Sequence, residues 1–193
     1  MATKDPFEAR RKALEEAYFR KKDAQLVDKL KAVFHRTVDR ESIRQTTGIT
    51  DERVLDNLVE LSLSGEMMAA FRLYPLIEVA WADGGVDEQE VRAVLAAIEE
   101  HGIPRGSRPH VMLENALKNR PREDARKAWY MYADELRRVL SPKELTTFRD
   151  DLLDHARRIA AASGGLLSVA FQVSTNERKV LEAIKRALTH NLS

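Results

Sequence analysis

Three carboxylates sit around one glycine turn of this chain: Asp83, Asp87 and Glu90, in the stretch DGGVDEQE. Oxygen ligands grouped in this way suit a hard cation such as calcium, held weakly with water in the remaining positions. A full EF-hand loop would need oxygen ligands earlier as well, where the chain has Val79 and Trp81, so that loop is excluded. The same residues also serve as helix punctuation. Gly84 stops one helix, Asp87 caps the next, and Glu90 reaches back as the reciprocal member of a capping box. A weak divalent cation and no cofactor at all both remain open.

Other chemistry is sparse. Five histidines, at 35, 101, 110, 155 and 190, are scattered along the chain without a zinc-protease motif, a histidine–acid pair at ligand spacing or a nucleophile elbow. Asp150, Asp151 and Asp154 fall at helical spacing and read as a solvated face. No glycine-rich phosphate loop or dinucleotide fingerprint occurs. The absence of cysteine removes disulfides, thiolate metal sites and a cysteine nucleophile together. The expectation is a protein without catalysis of its own.

The elements that hold these residues are helices. Ala, Leu, Glu, Lys and Arg dominate, Gly and Pro are few, and alternating β-branched runs are missing, so the fold class is all-α. Three parts are expected: an N-terminal helical arm over 1–38, a helical connector over 39–65, and a multi-helical globular domain over 66–193. The first helix starts at Asp5-Pro6 and is predicted to end near Thr37 to Arg40. A helix from about Glu66 to Ala82 carries MMAAFRLYPLIEVAW, the most apolar run, which Pro75 should kink or break. Later helices are read at about 88–101, 108–119, 123–139, 142–162 and 174–190, with SGGLLSVAFQV as an apolar loop between the last two.

Charge is nearly balanced, with 32 Lys and Arg against 31 Asp and Glu, so no overall field marks a nucleic-acid binder. Residues 41–65 could form a helix-turn-helix, but the second helix offers Arg53 among Asp51, Glu52, Asp56 and Glu60, which repel phosphate. A connector packed on the domain is the expectation, without DNA. No segment reaches the roughly 20 apolar residues of a spanning helix, and the polar N-terminus lacks a signal-peptide core. A cytoplasmic location without membrane insertion follows as an expectation.

Two stretches carry a family likeness. A helix ending in Ala80-Trp81-Ala82-Asp83-Gly84, then Val86-Asp87 and Glu90, then a second Gly-Gly turn leading to Ser174 and Glu177, resembles the TerB-like domain of tellurite-resistance B proteins. The likeness spans about residues 66–190 and implies a stress-response or interaction module whose acidic turn binds metal through Asp83, Asp87 and Glu90. The second turn has Ser163 where an aspartate would complete a pair of sites. The two turns also form a weak internal repeat, each leading into a capping box.

The second stretch is FEARRKALEEAYFRKK, residues 7–22. At about 100° per residue, Phe7, Leu14 and Tyr18 share one arc, while Phe19, Leu26, Leu30 and Val33 share another. Two stripes suit two neighbours, either the chain's own domain or a second copy on one side and a partner on the other. The pattern F-x-x-R-x-x-A-x-E-E-x-Y-F-R, followed by Leu30-Lys31, resembles the inhibitory helix of the mitochondrial ATP synthase inhibitor family. That likeness implies insertion between the catalytic α and β subunits of an F-type ATP synthase. Tyr18 and Phe19 would be the apolar anchors, with Glu15, Glu16 and Arg20 in ion pairs around them. Leu26 and Leu30 would extend the contact, and Phe7 and Arg10 complete the motif. The family's histidine-rich stretch is reduced to His35, and its coiled coil is replaced by the globular domain, so pH gating is not carried over and homodimerisation stays open.

Overall fold

The first helix is longer than its sequence suggests. In the computed structural model α1 spans Pro6–Thr47, 42 residues in one run, which at about 1.5 Å per residue is roughly 63 Å. The structure describes the backbone over residues 6–162 and 173–189, and the side chains of residues 17, 18, 20–162 and 173–189. The end predicted near Thr37 to Arg40 does not occur. Thr37 turns its hydroxyl back to the Val33 carbonyl at 3.0 Å, satisfying itself inside the helix instead of capping a new one. No proline or glycine lies between Pro6 and Gly48, and Gly48, at φ 75°, supplies the left-handed stop.

Two units divide the chain, Met1–Asp39 and Arg40–Ser193. In the first, every described side chain from Ala17 to Val38 is exposed, including Tyr18, Leu26, Leu30, Val33 and Phe34. The Lys22 ammonium lies 5.6 Å from the centre of the Tyr18 ring.

The second unit begins inside α1, and the apolar residues of 40–65 pack into its core. Ile43 and Ile49 are fully buried, as are Leu55 and Leu58 of α2 (Glu52–Glu60). Asp51 caps α2 by accepting from the Arg53 and Val54 amides. Glu52 then accepts from Arg40 at 3.0 Å and Arg44 at 2.6 Å, joining α1 to α2. Gly65 sits directly against α1, its amide donating to the Ser42 hydroxyl at 3.2 Å. A Cβ at position 65 would lie 2.6 Å from the Ser42 carbonyl oxygen, which is backbone and cannot rotate away. Gly65→Ala is therefore expected to cost about 1–3 kcal/mol by overpacking, read as a fall in the urea midpoint.

The apolar run after Gly65 forms two short helices, α3 (Met68–Phe71) and α4 (Tyr74–Ala80), instead of one. Proline lacks an amide proton and clashes with the preceding turn, so Pro75 is accommodated in the first turn of α4 and the chain breaks before it. α4 is central: Leu76, Ile77 and Val79 have no exposure, and the helix packs on α5 (Glu88–Glu100), α6 (Arg108–Lys118), α8 (Pro142–Ala162) and α9 (Thr175–Ala187). α7 (Glu123–Val139) contributes buried Trp129 and Tyr132, the latter 5.9 Å from the Phe71 ring. The Trp81 indole donates to the Ala116 carbonyl at 2.9 Å, tying the end of α4 to α6.

Among the described residues there are nine helices and no strand, so the chain is all-α. α5 to α8 begin and end within a residue or so of their predicted bounds, and α9 stops at Ala187, before the predicted 190. The loop SGGLLSVAFQV, with Ser163, lies outside the described residues except for Val173.

Candidate functional sites

The N-terminal residues singled out in the sequence lie on one continuous helix. Phe7, Arg10, Glu15, Glu16 and Phe19 are placed on α1 by its backbone, and their side chains lie outside the described residues. Of the remainder, Tyr18 is 57 % exposed, Leu26 57 % and Leu30 61 %, and Arg20 is exposed as well. Leaving apolar side chains in water forgoes about 1.5–3 kcal/mol each for the largest of them. Val33 of the second stripe is exposed too, and Val27, Phe34 and Val38 add to the series, so the apolar surface of this helix is broader than the two stripes read from the sequence.

The acidic turn is built as helix punctuation. Asp87 caps α5, accepting from the Gln89 amide at 2.7 Å and the Glu90 amide at 2.8 Å, while the Glu90 carboxylate accepts from the Asp87 amide at 2.8 Å. The second capping box repeats the geometry at α9, where Glu177 accepts from the Ser174 amide at 2.6 Å. The two meet: the Ser174 hydroxyl donates to Asp83 at 3.0 Å. Glu90 and Glu177 are both buried. Asp83, Asp87 and Glu90 thus share a region, but they do not converge as a three-ligand cage.

Burial pushes the Glu90 carboxyl up to about 7, and the negative charges of Asp87, Glu177 and Asp83 push in the same direction against the Asp87 amide. A raised carboxyl binds its proton more tightly when folded, so its contribution is full below the unfolded value near 4.5 and is lost as pH rises through about 7. Glu90→Gln keeps a capping-box acceptor without the charge. It is expected to leave stability at pH 4.5 unchanged and to raise it by about 1–2 kcal/mol at pH 8. Urea unfolding at the two pH values checks this.

A second cluster contradicts the reading of the histidines as scattered. His101, the C-terminal cap of α5, meets Asp151 and His155 of α8. His101 Nε2 lies 2.8 Å from an Asp151 carboxylate oxygen, and the two imidazole centres are 4.7 Å apart. Asp151 and His155, one turn apart, share a face of α8. His155 is buried, and that burial, with Arg158 and His101 close by, lowers its pKa against the opposing pull of Asp151 and Glu100. The Arg158 guanidinium reaches His155 Nδ1 at 2.7 Å and also pairs with Glu100 and Asp154 at 3.3 Å. The Asp151–His155 spacing was visible in the sequence but was absorbed into the solvated aspartate face. His101, on another helix, had no local signal to join it.

Comparison of the chain with known protein families, with curated proteins and with solved structures finds no match.

Proposed function

We propose that this protein is a regulator that inhibits ATP hydrolysis by an F-type ATP synthase, its N-terminal helix entering a catalytic α/β interface. The observation that carries the reading is the exposed apolar series on α1, with Tyr18, Leu26 and Leu30 open to solvent on an unbroken helix. An amphipathic helix that docks in another protein's groove presents its anchors in this manner, with aromatic and arginine residues carrying most of the binding energy. Glu-Glu-x-Tyr-Phe-Arg, residues 15–20, supplies the likeness that names the partner. Inhibition is stoichiometric, at the cytoplasmic face of the membrane that carries the synthase; no described helix is long and apolar enough to cross one.

The test is direct. Added in molar excess to purified F-type ATP synthase of the same organism, the intact protein should slow ATP hydrolysis. An unchanged rate defeats the proposal.

A second reading, a TerB-like stress-response or metal-binding module without synthase binding, is favoured by the hydrogen bond from Ser174 to Asp83, which brings the acidic turn against the second capping box. Under it, calcium should stabilise the native chain but not Asp83→Ala or Asp87→Ala.

A further inference from the structure

We propose that His101, Asp151 and His155 bind a divalent transition-metal ion of the zinc class, which clamps the end of α5 to the middle of α8. The site lies in the globular unit and is independent of the α1 proposal. One ligand atom from each residue already lies within 4.8 Å of the other two.

The bonding of His101 gives the strongest argument. Its Nδ1 faces the Ala97 carbonyl at 2.8 Å and its Nε2 faces Asp151 at 2.8 Å. Both partners are obligate acceptors, and a neutral imidazole has only one N–H to give. With Nδ1–H donated to the Ala97 carbonyl, Nε2 turns its lone pair to the Asp151 carboxylate, and a metal ion seated between that nitrogen and oxygen would be held by both. The Ala97 carbonyl then acts as the outer partner that fixes the tautomer and orients the ring, as in many histidine-bound metals.

His155 supplies the second nitrogen, its Nε2 lying 3.7 Å from the other Asp151 oxygen. The ligand atoms of a tetrahedral zinc are ~3.3 Å apart, so adjustments of about an ångström close the cage. For Nε2 to ligate, the His155 proton must sit on Nδ1, and the Arg158 guanidinium, 2.7 Å from Nδ1 and 3.3 Å from Nε2, must swing off the ring toward Glu100 and Asp154, with which it already pairs. The surrounding charge is net acidic, with Glu100, Asp151 and Asp154 against Arg158. Two imidazoles with one carboxylate favour zinc and its neighbours over calcium or magnesium, which take oxygen ligands. The fourth position falls to Glu100, 3.8 Å from His155 Nε2, or to water from the open cleft of about 760 Å³ that His101 and Asp151 line.

The test is zinc titration of the full chain by calorimetry and thermal melting at pH 7.5. One equivalent should bind, and zinc at a hundred times its Kd should raise Tm by about 5–10 °C. His101→Ala and Asp151→Asn should each weaken binding at least about tenfold. Both residues lie at the surface, and the two variants are read separately, so one folded variant suffices. An Asp83→Ala, Asp87→Ala double variant should bind zinc as the native chain does. Affinity should fall at pH 5.5, where protons compete for the imidazoles. No zinc-dependent shift, or binding retained in His101→Ala and Asp151→Asn, overturns the proposal, as does loss confined to the acidic-turn variant.

Discussion

Changing Tyr18 and Phe19 together to alanine is expected to weaken the proposed inhibition of ATP hydrolysis by at least a hundredfold while leaving the Tm of the free protein within a degree or two. Each aromatic buried in a groove contributes about 1.5–3 kcal/mol, so two anchors account for a factor of roughly 10² to 10⁴ in affinity. Tyr18 is 57 % exposed in the free chain, so truncating it removes little folded-state packing. Alanine is also the better helix former, which keeps α1 intact. Titrating the hydrolysis rate against inhibitor, beside a thermal melt of each protein, reads both halves of this expectation. Full inhibition by the double variant would sink the groove-insertion mechanism. A large drop in Tm would show instead that the aromatics belong to the protein's own packing.

Ile43→Ala should do the opposite. Ile43 lies on the same helix, is fully buried, and belongs to the hydrophobic core with Ile49 and Leu58. Removing its side chain leaves a cavity in that core, at a cost of about 2–5 kcal/mol. For a domain of this size that lowers Tm by roughly 5–15 °C. At temperatures where the variant is still folded, its inhibitory potency should match that of the native chain. Together the two variants assign different work to two segments of one helix. A potency that fell in step with Tm would mean the segments cannot be separated in this way.

Helix content was legible because its signals are local. Asp87 with Glu90 and Ser174 with Glu177 announced two helix starts, and both boxes form as expected. Pro75 announced a break that falls before it, because the ring fits the first turn of a helix. The end of α1 was misplaced because β-branched Thr37 and Val38 merely lower helix propensity, whereas a stop needs a breaker such as Gly48.

The acidic turn shows the limit of such signals. Its residues were found, but which oxygens were already committed to backbone amides emerged only from the fold. The histidine cluster needed residues 101 and 155 to be brought together by α5 packing on α8. Side chains that meet across two helices leave no periodic trace in either one.

The bond between Ser174 and Asp83 also bears on how the chain is made. It spans 91 positions, and Ile184 of α9 and its cap residue Leu188 join the core that α4 began. A contact across roughly a hundred residues closes late, since loop entropy must be overcome before the contact contributes. At synthesis rates of about 5–20 residues per second, the apolar face of α4 waits several seconds for its last cover. During that interval the nascent chain presents the part of α4 that α9 covers to whatever chaperone or neighbouring polypeptide is near. A ribosome stalled before Ser174 would therefore release a sticky fragment, not a smaller working domain.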